Sequence, residues 1–171
     1  MKNMNVLKYG SPLLRKKAAK ITKIDLRIKK LAEEMLKSMH ACKGIGLAAN
    51  QVGILERLVV IDTGRGDKKG EVFCLVNPEI TAFEGNARFE EGCLSFPEIY
   101  ADVERPSKVT VRYQDLTGAM NEITAEGVMA RVLQHEIDHL NGILFVDKIS
   151  KIKYLLLNKQ LKELERNTRG K

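Results

Sequence analysis

Two of the three histidines in this chain fall within five residues, His135-Glu136-Ile137-Asp138-His139. On a helix, side chains at i and i+4 share one face, so both imidazoles can reach a single metal ion with Glu136 beside them as a proton acceptor. A metal ion held this way lowers the pKa of water enough to make hydroxide at neutral pH, which is the chemistry of a hydrolase. The competing reading is a helix with two surface histidines. Val128, Val132, His135 and His139 form one i, i+4, i+7, i+11 stripe, so the histidines extend an apolar face and are expected to point inward, where they need a partner.

A catalytic divalent ion takes three protein ligands and keeps one position open. The third ligand must come from elsewhere in the chain, and no histidine follows His139. Asp147, Glu163 and Glu165 lie downstream, at a helix start or on a mainly polar helix face. Upstream is Glu90-Glu91-Gly92-Cys93-Leu94-Ser95, where Gly92 lets the backbone come close to a site. Cys93 leads on these grounds, and the acids stay open as alternatives. Cys42, at the end of an amphipathic helix, and Cys74, in an apolar strand, read as small core residues. Three cysteines without an export signal speak against a disulfide framework. His40 reads as a residue of a helix surface.

The elements that position these groups are visible in the hydrophobic spacing. Asp25 can cap a helix to about Cys42, with Ile28, Leu31, Ala32, Met35, Leu36 and Met39 on one face and Gly44 ending it. A Gly-rich segment follows at 44–51. Strands are expected at Arg57–Asp62, Val72–Val76, Ile80–Phe83 and Lys108–Gln114. Asp115-Leu116-Thr117-Gly118 reads as a hairpin turn into Ala119–Thr124. A second helix should run from Ala125 to Leu140 with Gly142 just beyond it. A third should run from Ser150 to Asn167, with Ile152, Leu155, Leu156, Leu157, Leu161 and Leu164 on one side and lysines on the other. A helix, several strands and two helices in that order give an α+β fold: mostly antiparallel sheets around a central HExxH helix, with an N-terminal and a C-terminal helix.

The 171 residues suit a single domain, 1–171, in which 148–171 form a basic C-terminal helix and tail. No apolar run approaches membrane-span length, and Met1 to Lys17 lacks the layout of a signal peptide, so a cytoplasmic location is expected. The net charge of +7 is uneven. Residues 1–30 hold ten Lys/Arg against Asp25 alone, residues 148–171 hold eight against Glu163 and Glu165, and the middle is acidic. Basic ends suggest an anionic partner such as ribosomal RNA. Without interleaved aromatics, sequence-specific nucleic-acid binding is not expected.

Three segments in this order resemble the peptide deformylase family: Gly44-Ile45-Gly46-Leu47-Ala48-Ala49-Asn50-Gln51, Glu91-Gly92-Cys93-Leu94-Ser95 and Gln134-His135-Glu136-Ile137-Asp138-His139. The opening Val6-Leu7-Lys8-Tyr9 with Pro12-Leu13-Leu14-Arg15 is also similar, so the resemblance covers nearly the whole chain. It implies a hydrolase that removes the formyl group from the initiator methionine of nascent polypeptides and releases formate. By match to the motifs it implies Cys93, His135 and His139 as ligands of one divalent metal per chain. In this family the metal is characteristically Fe2+, though Zn2+, Ni2+ or Co2+ can occupy the site. Glu136 would take a proton from water and pass it to the departing amine. Gln51 and the backbone N–H of Leu94 would stabilise the oxyanion. Gly46 is counted with this catalytic group, and Gly44 and Gly46 would let the substrate backbone run alongside as an added strand. Ile45, Phe89, Val128 and Val132 are the expected walls of a methionine pocket. The chain departs from many members at Gly10, where they have Pro, and at Tyr100, where they have Arg near the peptide cleft.

The expected partners are N-formyl-methionyl nascent peptides and, through the basic C-terminal helix, the ribosome. A monomer is expected. Two rivals share part of the pattern: a metallo-endopeptidase with the same HExxH motif, and a ribosome-binding module with a structural metal. A structural site takes four protein ligands and does not need Glu136.

Overall fold

The computed structural model describes residues 4–64 and 70–170. In chain order its elements are α1 (Leu26–Ala41), β1 (Gly46–Ala48), β2 (Leu58–Asp62), β3 (Val72–Glu84), β4 (Ala87–Cys93), β5 (Phe96–Arg105), β6 (Lys108–Gln114), β7 (Met120–Glu126), α2 (Gly127–Leu140) and α3 (Lys151–Arg169). Short 3-10 turns lie at Pro12–Arg15, Ala49–Val52 and Phe145–Asp147.

Asp25 starts α1 as its side chain predicts: the carboxylate accepts the Ile28 N–H at 3.2 Å. Five strands form one antiparallel sheet in the order β1-β2-β3-β6-β7, and β4 and β5 form a separate antiparallel pair. The continuous apolar run of β2 has a simple cause. Leu58 and Val60 face α1 with Val76, Met35 and Met39, while Val59 and Ile61 face α2 with Leu75, Val109 and Val111. Successive strand residues point to opposite faces, and here both faces are covered by a helix. The α+β arrangement around a central HExxH helix is thus as expected.

Several boundaries differ from the sequence reading. Val72–Val76 and Ile80–Phe83 are one strand, β3, interrupted by register shifts near Asn77. Asn77 adopts φ +53°, and its side-chain amide accepts from the Ile21 N–H and donates to the Ile21 carbonyl, both at 2.8 Å. Ala125 and Glu126 belong to β7, not α2. Gly127, at φ +59°, turns the strand directly into the helix, a conformation that a residue with a Cβ resists. The β4–β5 hairpin was not foreseen. Its inward positions Ile99, Ala101 and Val103 join Phe96, Phe145, Leu14 and Leu161 in a third core cluster.

The outward half of the third helix is the larger correction. Leu157, Leu161 and Leu164 pack on that cluster, but Ile152, Leu155 and Leu156 are 73%, 68% and 77% exposed. One α-helix cannot turn all six to one side, because they span more of its circumference than the domain surface covers. Cys42 is also exposed, since it lies just past the last turn of α1. Cys74 is half-buried against the core, and burial raises its thiol pKa. His40 lies on the surface as expected, 2.7 Å from Asp62 Oδ2.

Candidate metal centre and cleft

The stripe on α2 brings His135 and His139 into the interior, 9% and 1% exposed. Its first residue does not follow: Val128, in the first turn, is 67% exposed and stands at the mouth of a cleft, with Val132 half-buried below it. Cys93 arrives at the end of β4, where the chain turns into β5. Its Sγ lies 3.2 Å from His139 Nε2, which lies 3.2 Å from His135 Nε2. All three donor atoms fall within 4.8 Å of one another.

These residues fit a divalent metal. Donors about 2.0–2.3 Å from an ion at tetrahedral angles stand roughly 3.3–3.7 Å apart, close to the two 3.2 Å separations made by His139 Nε2. Glu91 Oε2 lies 3.0 Å from His135 Nδ1. A carboxylate there accepts a hydrogen bond from Nδ1–H, which leaves the Nε2 lone pair pointing at the other donors. Among the described residues no fourth His, Cys, Asp or Glu joins the group, and Asp147, Glu163 and Glu165 are not part of it. Three candidate ligands and an adjoining cleft are the pattern of a catalytic centre rather than a structural one.

Glu136 lies on the cleft side. It is 5% exposed, and its Oε2 has no hydrogen-bond partner among the described residues. Burial raises its pKa to about 7, with the neighbouring His135 acting in the opposite direction. The close approach depends on Gly46, because a Cβ there would stand 2.5 Å from Glu136 Oε1. Gly44 likewise faces Leu94, whose Cδ1 would be 2.8 Å from an added Cβ. The two glycines therefore admit protein side chains, in addition to leaving the β1 edge open. Gln51 is buried. Its Oε1 accepts the Ala48 N–H at 2.9 Å, and its Nε2 lies 3.2 Å from Ser95 Oγ and 3.5 Å from Cys93 Sγ.

The cleft beside this group measures about 800 Å³. Gly44, Ile45, Gly46, Gln51, Phe89, Leu94, Val128, Val132, His135 and Glu136 all line it, as does Tyr100. Phe89 is half-exposed at the rim, and the Arg131 guanidinium lies 5.3 Å from its ring centroid.

Sequence reasoning missed the support beneath the histidines. Arg105, 3% exposed, donates from Nε and Nη2 to Glu91 at 2.6 and 3.0 Å, and from Nη1 to Asp138 at 2.5 Å. Arg131 adds a bond to Glu91 Oε1 at 2.9 Å. Burial raises the Glu91 pKa, but hydrogen bonds from His135 and Arg105 outweigh it and hold the carboxyl well below its usual range. The available signal was Arg105 itself, a charge at an inward position of the alternating run Ile99, Ala101, Val103.

Known proteins resemble this chain. The model of the family described as "Polypeptide deformylase" matches residues 3–154. A peptide deformylase of Prochlorococcus marinus (strain AS9601) is 49% identical over 148 residues, 86% of this chain and 74% of the relative. One from Caldanaerobacter subterraneus subsp. tengcongensis is 51% identical over 144 residues, 84% of this chain and 87% of the relative. The crystal structure of a peptide deformylase from Legionella pneumophila superposes with a TM-score of 0.89 at 43% identity, covering 99% of each chain.

Proposed function

This chain belongs to the polypeptide deformylase family, and we propose that it removes the formyl group from the N-terminal formyl-methionine of nascent polypeptides, releasing formate. One observation carries the reading: the donor atoms of Cys93, His135 and His139 converge beside a buried Glu136 oxygen that has no hydrogen-bond partner among the described residues, at the floor of a cleft. A divalent ion held by those three residues would supply Lewis acidity, polarising the formyl carbonyl and lowering the pKa of water. We take the ion to be Fe2+, with Zn2+, Ni2+ or Co2+ as substitutes; the Cys/His/His set suits all four.

The residues of the chain then divide the work. Glu136 takes the proton of the attacking water through Oε2 and returns it to the amine as the C–N bond breaks, leaving formate and a free N-terminus. A pKa near 7 suits both halves of that exchange. The carbonyl oxygen gains charge as the carbon becomes tetrahedral, and Gln51 Nε2 and the Leu94 N–H are the proposed donors to it. Gly46 keeps the Glu136 carboxylate close to the β1 edge. Among the described residues that edge is unpaired in the sheet order, so an extended peptide can add to it as a strand. Ile45, Phe89, Val128 and Val132, with Gly44 at the turn, form the proposed methionine pocket.

The same proposal takes residues 1–171 as one catalytic domain, monomeric and cytoplasmic. Among the described residues no helix is long and apolar enough to cross a membrane. The outer face of α3 carries Lys151, Lys159, Lys162 and Arg166, which supports docking on the ribosome near emerging chains.

Formate release from formyl-Met-Ala-Ser, run beside acetyl-Met-Ala-Ser and casein, tests this function. The expected result is release from the formyl peptide alone. Cleavage of internal casein bonds without formate release would favour an endopeptidase instead.

A further inference from the structure

Residues 7–9 run along both walls of the site. The Leu7 N–H donates to the Gln51 carbonyl at 2.7 Å and the Tyr9 N–H to the Ser95 carbonyl at 2.9 Å. Between them, Lys8 Nζ donates to the Leu94 carbonyl at 2.7 Å, and Lys8 lines the cleft. That carbonyl belongs to the peptide unit joining Leu94 to Ser95. The other end of the same unit, the Ser95 N–H, donates to Cys93 Sγ at 3.4 Å. A single peptide group thus has an ammonium at its oxygen and the ligand sulfur at its hydrogen.

The arrangement has a direct electronic consequence. A cation at an amide oxygen draws density through the amide and makes its N–H a stronger donor, as linked hydrogen bonds polarise one another. A hydrogen bond to a ligand sulfur withdraws charge that the sulfur would otherwise give to its metal, and so tunes the metal. We infer that Lys8 is a positioning residue that acts through the Leu94–Ser95 peptide to fix Cys93 and to limit the charge it donates. The inference rests on the proposed role of Cys93 as a metal ligand. An ordinary surface lysine resting on a carbonyl would leave the sulfur unaffected, and the test separates the two.

The probe is cobalt. The protein is loaded with Co2+ and the thiolate-to-cobalt charge-transfer absorption is recorded for wild type, Lys8→Met, Lys8→Gln and Lys8→Arg. A sulfur richer in charge absorbs at longer wavelength. Lys8→Met should therefore shift the band to longer wavelength with one cobalt still bound per chain. Lys8→Gln, which keeps a donor without the charge, should shift it less, and Lys8→Arg should restore it. In formate release, kcat for Lys8→Met should fall about tenfold with KM little changed, the low end of what losing an outer-shell partner costs. An unmoved band in Lys8→Met overturns the inference, as does a wild-type protein with no thiolate band. If Lys8→Met fails to fold or to hold cobalt, the same reading is made on Lys8→Gln. Formate release with an unmoved band overturns this inference alone. A shifted band in a protein that releases no formate upholds the coupling and overturns the deformylase reading.

Discussion

Replacing Arg105 by Met should destabilise the protein in a pH-dependent way. The substitution keeps most of the side chain's length but removes a guanidinium that is 3% exposed, and with it two hydrogen bonds to Glu91 and one to Asp138. The carboxylates left behind are not bare. Glu91 keeps Arg131 at 2.9 Å and His135 at 3.0 Å, and Asp138 keeps Lys148 at 3.3 Å. Breaking a buried ion pair from one side costs about 3–5 kcal/mol, and the surviving partners put this case at the low end, about 3 kcal/mol. In a chain of this length that corresponds to roughly 6–12 °C in Tm. The pH dependence has a definite sign. In the wild type Glu91 is held ionised well below its usual range, so its contribution is present above the unfolded pKa of about 4.3 and is lost as pH falls towards the folded value. Without Arg105 the folded pKa rises, protonation relieves the buried charge, and the deficit relative to wild type narrows as pH is lowered through the carboxylate range, about 4.3 and below. Thermal unfolding followed by circular dichroism on the zinc-loaded proteins, with zinc content checked at each pH, measures both. A Tm loss below about 2 °C at pH 7, or a deficit that widens towards acid, would refute the reasoning.

Gly46→Ala places a Cβ 2.5 Å from Glu136 Oε1 without demanding a strained backbone, so the carboxylate must move. Formate release should fall about 100-fold while metal content and Tm stay near wild type, as expected for a catalytic group displaced by about 1 Å; unchanged kcat would show that Glu136 need not be held there. Because burial lifts the Glu136 pKa to about 7 and the ionised form accepts the proton, kcat/KM should rise with pH and level off above neutrality. A bound cation favours the carboxylate and can only move this limb to lower pH, so a limb centred above 8 would contradict the assignment. On α3, Leu161→Ala should cost about 2–5 kcal/mol as a buried truncation. Leu155→Ser and Leu156→Ser should stay within about 0.5 kcal/mol, since both side chains face solvent; chemical denaturation distinguishes the two classes.

The helices were legible because their spacing and caps agree: Asp25 and the Ile28 to Met39 face for α1, the Val132 to His139 stripe for α2, and Ser150 before α3. The β4–β5 hairpin was not. Its inward positions include Glu91 and Arg105, whose charges disguise the apolar alternation, and Pro97 interrupts its start. Those same two residues support the proposed metal ligands, so the least legible part of the fold is the part that holds the candidate site. The contact of Lys8 left no signal, because its partner is a backbone carbonyl 86 positions away, which no residue type records. The outer apolar residues of α3 were misread in the other direction. Periodicity reports which residues share a face, but not how far along the helix the protein covers that face.

The central claim is that Glu136 moves the proton for a reaction at a metal held by Cys93, His135 and His139. The most direct test is formate release from formyl-Met-Ala-Ser by protein purified without oxygen, with Glu136→Ala run beside it and metal measured in both. The account predicts one divalent metal per chain in each and release by wild type, reduced by about 100-fold or more in the variant. Equal release from the two proteins at equal metal content would contradict it.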